Sequence, residues 1–134
     1  MAEKTLTVRK GVLDAEARAA YYRAMRFDTT GGLETLDDLL AGAELFEVLD
    51  GESIVLRYAL RIDERPCGRE GVIVIASGNL PGFKLVEAFT PIIERQLAGV
   101  HYVRVDTKRK ALARKLIGQG YELSAFRLSK RMMQ

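Results

Sequence analysis

Apolar residues recur along this chain in two rhythms, every second position and every third or fourth, and the switches between them mark predicted strands and helices. Thr5 to Arg9 alternates and predicts a short strand. Asp14 stands ahead of AEARAAYYRAMRF with Glu16 close behind, so a capped helix is expected through about Phe27. Ala17, Ala20, Tyr21, Ala24 and Met25 fall near one face of it, with Arg18, Arg23 and Arg26 elsewhere. Asp28-Thr29-Thr30-Gly31-Gly32 has loop chemistry, and a second helix is predicted from about Glu34 to Ala41, ending at Gly42.

Three apolar runs follow: 44–50, 53–63 and 69–77. Asp50-Gly51 is a hairpin signal between the first two, and Arg65-Pro66-Cys67-Gly68 separates the second from the third, which predicts an antiparallel meander. Val72-Ile73-Val74-Ile75 is β-branched throughout, as a buried strand requires. It runs into a turn cluster, Ser77 to Gly82, after which helical spacing from Lys84 to Ala98 places Leu85, Ala88, Phe89, Ile92, Ile93 and Leu97 on one face. Pro91 inside that stretch either kinks the helix, which is the expectation here, or starts a new one capped by Thr90. A strand at 101–107, a helix at 108–118 stopped by Gly120, and an alternating strand at 121–132 complete the order β-α-α-β-β-β-α-β-α-β.

The 134 residues suffice for one domain, 1–134, with a real core. Apolar content of 48% with 29% charged residues is that of a globular protein, and neither a membrane-length apolar run nor a signal-peptide pattern is present, so a cytoplasmic protein is expected. Cys67 and His101 are the only residues of their kinds, which excludes an intrachain disulfide and argues against a zinc site; no metal is expected. Charge is unevenly spread. Residues 1–100 hold 12 Lys/Arg against 16 Asp/Glu, whereas residues 101–134 hold 9 Lys/Arg against Asp106 and Glu122 alone. The C-terminal quarter therefore suits an anionic partner, a phosphorylated cofactor or nucleic acid, or an acidic surface elsewhere in the molecule.

A buried strand, a glycine-containing loop and a helix in succession bring free peptide N–H groups and a positive dipole end together, which is how a chain holds phosphate without dedicated side chains. That succession, and the element order around it, resembles the GNAT family of acyl-CoA-dependent N-acyltransferases, with Val72 to Leu97 as the cofactor half and Val103 to Leu128, including Gly120-Tyr121 in the Gly-aromatic place, as the remainder. The resemblance implies an α/β (α+β) fold with a central mixed sheet flanked by helices, and a cleft where the 69–77 and 101–107 strands part. It implies acetyl-CoA as cofactor, held by the backbone of Ile75 and Ala76 and by Gly82, Phe83 and Lys84, with Arg109 near its phosphates.

The departures are as informative. The loop Asn79-Leu80-Pro81-Gly82-Phe83-Lys84 keeps only the middle glycine of the family's Gln/Arg-x-x-Gly-x-Gly/Ala, and Leu116 stands where the family often has a tyrosine acid. Arg109 falls among Leu112, Ala113 and Leu116, so it needs a partner, either a phosphate or a carboxylate such as Asp106. Glu70 and Asp106 are the carboxylates expected nearest the cleft, and His101 is expected at the wrong end of its strand for catalysis. No catalytic residue is assigned. The alternative to an enzyme is a GNAT-like module without catalysis, of a phage or prophage type, acting as a homodimer through an edge strand or binding nucleic acid through Lys108, Arg109, Lys110, Arg114 and Lys115. No membrane role is expected.

Overall fold

The structure, a computed structural model, describes residues 6–78 and 85–133. Its centre is a five-stranded sheet in chain order, β1 (Leu6–Lys10), β2 (Glu44–Asp50), β3 (Ser53–Arg65), β4 (Gly68–Gly78) and β5 (Tyr102–Arg104). The first four strands pair antiparallel and β5 joins β4 in parallel, so the sheet is mixed, as expected. A parallel neighbour cannot be reached by a hairpin, and α3 (Leu85–Gln96) supplies the crossover. Gly51, at φ +64°, occupies the left-handed position that the tight β2–β3 turn demands.

The sheet separates two apolar layers. On one face Val48, Leu56, Tyr58 and Leu60 pack against Phe89, Ile93 and Leu97 of α3 and its C-terminal end. Each such buried side chain contributes about 1.5–3 kcal/mol, which sets the position of α3. Tyr58 stacks on its cross-strand partner Phe46 at 5.3 Å and donates its hydroxyl to Gln96 Oε1 at 2.7 Å. On the other face α1 (Ala15–Ala24) and the five-residue α2 (Leu36–Leu40) cover Ala59 with Ala17, Tyr21, Leu36 and Leu40. Asp14 caps α1 by accepting the Ala17 N–H at 2.8 Å, and a 3₁₀ turn, Met25–Phe27, extends it to the expected end. Thr35 caps α2. Glu47, a buried carboxylate on β2, is met by Arg9 Nε at 2.7 Å from its register partner on β1.

Pro91 lies inside a single helix, as expected, and Thr90 does not cap a new one but donates its hydroxyl back to the Val86 carbonyl at 2.6 Å. Two expectations need correction. The strand expected over 101–107 is only Tyr102–Arg104, because β4 turns away beyond Val72 and leaves Val105 onward nothing to pair with. The strand expected at 121–132 does not form. After α4 (Lys110–Ile117) residues 121–133 take no regular structure, and Leu123, Phe126 and Leu128 are exposed. Alternation makes a strand only where a neighbouring edge can template it, and three-residue β5 offers too little.

Candidate functional site

Two local irregularities open β4. Its pairing with β3 shifts register, Ala59 opposite Ile75 but Leu60 opposite Ile73, so Val74 is an extra residue and the strand bulges there. Its pairing with β5 covers only Glu70↔Tyr102, Gly71↔Val103 and Val72↔Arg104. From Ile73 to Gly78 the β5-side edge of β4 has no strand partner among the described residues. The strands part, as the resemblance requires.

The gap is the mouth of a cavity of about 430 Å³. Its apolar wall comes from Phe89 and Ile93 of α3 and Leu112 and Leu116 of α4, with Leu85 and Val86 of the first turn of α3 at the rim. Ile75 and Ala76 of β4 and Arg109 all line it, so the structure brings these three expected cofactor residues together. Gly82, Phe83 and Lys84 lie outside the described residues.

Arg109 does not pair with Asp106. It is the residue at which α4 begins, and its guanidinium lies over the Phe27 ring at 4.6 Å from the centroid. Asp106 lines the cavity but accepts from Arg104 Nη1 at 2.9 Å, with Arg127 Nη2 at 4.0 Å. Glu70 is held by Arg65 at 2.9 Å, and Arg104 Nε sits 3.2 Å from it without hydrogen-bond geometry. Glu70 does not line the cavity. His101 Nδ1 accepts the Arg69 N–H at 3.2 Å, away from the cleft, as expected. Tyr121 packs beside α3 with its hydroxyl 3.4 Å from Glu94 Oε2; burial, and then that carboxylate, push the hydroxyl up to about 12.

The opposite wall is the 28–34 loop, of which the sequence showed 28–32 as loop chemistry and Glu34 as the start of a helix that in fact begins at Leu36. Asp28 accepts from the Thr30 N–H and hydroxyl at 3.1 and 2.9 Å and from the Gly32 N–H at 2.9 Å. Burial alone would raise its carboxyl, but those donors and the charge of Lys108 outweigh it and hold the pKa below the usual 3.8. A carboxylate so occupied braces the loop and is a poor base. Glu34, next along, lines the cavity and has no cation within 4.0 Å among the described residues. Arg127 crosses from the C-terminal segment to the same loop and donates to Thr29. Arg127 comes from a segment distant from Thr29 and Glu34, and no spacing in the sequence links it to them. Among the described residues no cluster of His, Cys, Asp and Glu could hold a metal ion, and no helix is long and apolar enough to cross a membrane.

No family model matches the sequence, and no curated protein matches it. Solved structures do match its fold. A transcriptional regulator from Bacillus halodurans is 17% identical, with a TM-score of 0.65 over 96% of this chain and 100% of that one. An acetyltransferase from Bacillus subtilis in complex with CoA is 16% identical, at 0.64 over 90% and 79%. A GNAT family acetyltransferase from Staphylococcus aureus is 10% identical, at 0.56 over 95% and 98%. None of these likenesses bears on a phage origin.

Proposed function

We propose that this chain, which has the GNAT-like fold, is an acyl-CoA-dependent N-acyltransferase. The observation that carries the reading is the parting of β4 and β5 beyond Val72 and Arg104, which leaves an unpaired strand edge facing an apolar cavity. Such an edge suits the amide-bearing pantetheine arm of CoA, which can hydrogen-bond to Ile75 and Ala76 as a short extra strand. Leu85 and Val86 of the first turn of α3 line the same cavity, and the N-terminal end of a helix favours phosphate. The B. subtilis neighbour holds CoA, which supports acetyl-CoA as donor.

Acyl transfer to an ammonium needs a base and a group that steadies the thioester oxygen. Glu34 is the carboxylate we assign as base, since Asp28 and Asp106 are both occupied by donors. It takes a proton from the acceptor ammonium, and the freed amine attacks the thioester carbon, whose oxygen is met by a β4 N–H. The C–S bond then breaks, and the attacking nitrogen releases its second proton to water as the amide forms. Leu116 has no proton to give, and Tyr121 stands apart from the cavity, so the departing thiolate takes its proton from water.

Acetyl-CoA binding tests the reading. At about 100 times its dissociation constant the ligand adds ~2.7 kcal/mol of stability. A thermal shift of that order supports it, and no shift at millimolar acetyl-CoA overturns it.

A further inference from the structure

A second cavity, also of about 430 Å³, opens on the α1 side of β4. Four arginines line it: Arg23 and Arg26 from α1 and the 3₁₀ turn, Arg57 from β3 and Arg109 from the start of α4. No acidic residue lines it among the described residues. Arg26 and Arg109 both lie over the Phe27 ring, at 4.7 and 4.6 Å from its centroid. Stacking fixes two guanidinium planes while leaving their N–H edges and their charge unspent. Arg57 is largely buried, and among the described residues its one carboxylate within 4.0 Å is the exposed Glu16 at 3.8 Å and its Nε has no hydrogen-bond partner. An unpaired donor on a buried cation is costly unless a ligand completes it. Concentrated positive charge in a concave, half-enclosed site attracts a small anion rather than a flat surface.

We propose that this arginine-walled cavity binds the phosphate or carboxylate of a small molecule that also reaches into the neighbouring cleft. Phe27, Ala76 and Arg109 line both cavities, so one molecule can place its anion in the first and its reacting end in the second. The anion belongs either to the acyl donor or to the acceptor. Only that choice of source rests on the acyl-transfer reading; the anion site stands on its own arginines.

Inorganic phosphate, titrated at constant ionic strength against a chloride control, is the probe. Wild-type protein binds it saturably, and Arg57→Gln weakens binding at least tenfold. Should Arg57→Gln melt abnormally, the exposed Arg23→Gln carries the test, with a several-fold loss. Absence of phosphate binding, or affinity unchanged in both variants, overturns the proposal. Displacement of phosphate by CoA, with CoA affinity falling in Arg57→Gln, assigns the site to the donor. Simultaneous binding of CoA and phosphate, with CoA affinity unchanged in the variant, assigns it to an anionic acceptor. Phosphate failure with an intact acetyl-CoA shift removes this site alone; the reverse result removes the acyl-transfer reading and leaves the site.

Discussion

Arg127 Nη1 donates to Thr29 Oγ1 at 3.0 Å, joining residues 98 positions apart and tying the irregular C-terminal segment to the loop that walls the cleft. Its second guanidinium nitrogen approaches Asp106 at 4.0 Å, and Asp106 in turn holds Arg104. The segment is therefore fixed by charge and hydrogen bonds instead of by a sheet edge. Arg127 is more than half exposed, so its loss should cost under about 1 kcal/mol of global stability. Arg127→Ala is expected to leave the melting temperature nearly unchanged while limited proteolysis cuts within 121–133 several times faster. Unaltered cleavage would show that the tether does not hold the segment.

Glu34→Gln keeps the shape of the cleft wall and removes the assigned base. A positioned base contributes 10²–10⁴-fold. Turnover near neutral pH should fall by that range with acetyl-CoA affinity unchanged, and activity of the variant should recover as pH rises toward the pKa of the acceptor amine, which then arrives already deprotonated. Steady-state kinetics across pH, with acetyl-CoA affinity measured separately, decides it.

Acid sensitivity should draw on Asp63. The Arg61 guanidinium hydrogen-bonds it at 2.6 and 3.1 Å, and although burial opposes the effect, that bond and the charges of Arg61 and Arg104 hold its carboxyl below the usual 3.8. A lowered folded value means stabilisation that is present above the unfolded value and disappears as pH falls through the folded one. Denaturation of the wild type between about pH 5 and pH 2 should thus steepen relative to Asp63→Asn, the two curves converging at the acid end.

At the alkaline end the sign reverses. The Tyr21 hydroxyl, desolvated by burial against the opposing charge of Arg57, is pushed up to about 12, as is Tyr121. Raised folded values stabilise fully below the ordinary 10 and are lost as pH climbs through about 12. Spectrophotometric titration of the folded protein should show a late tyrosine step near pH 12, reduced in amplitude by Tyr121→Phe.

Gly71 faces α3 so closely that an added Cβ would come 2.9 Å from Leu97 Cδ1. Gly71→Ala should destabilise by about 1–3 kcal/mol through overpacking. Combining it with Leu97→Ala should give less than the sum of the single effects, because the two changes share one space; a double-mutant cycle by chemical denaturation measures the coupling.

Much of this architecture was legible before the fold. The apolar runs of β2 and β3, the Asp50-Gly51 turn and the Asp14 cap are local signals, and each is obeyed. The bulge at Val74 was hidden because a strand that is apolar on both faces has no period to interrupt. Residues 121–132 misled for a complementary reason: their alternation is genuine, but a strand also needs a partner, and the shortness of β5 is a tertiary fact. Ile75, Ala76 and Arg109, which the resemblance gives as cofactor residues, line the cleft. In the sequence Arg23 and Arg26 only fall off the apolar face of their helix, and the return of β3 and α4 beside Phe27 shows them as walls of a cavity.

The junction of β4 with β5 amounts to three register pairs, while β3 and β4 share ten. Hydrogen-bonded ladders open from their shortest end, so the unit made of β5 and α4 can separate at a fraction of the free energy that global unfolding requires. Amide exchange should accordingly be fast at Val103 and Arg104 and slow at Tyr58 and Leu60. The molecule is built as a firm antiparallel plate with a lightly hinged flap, and a ligand long enough to lie along the plate can enter without any part of the plate coming undone.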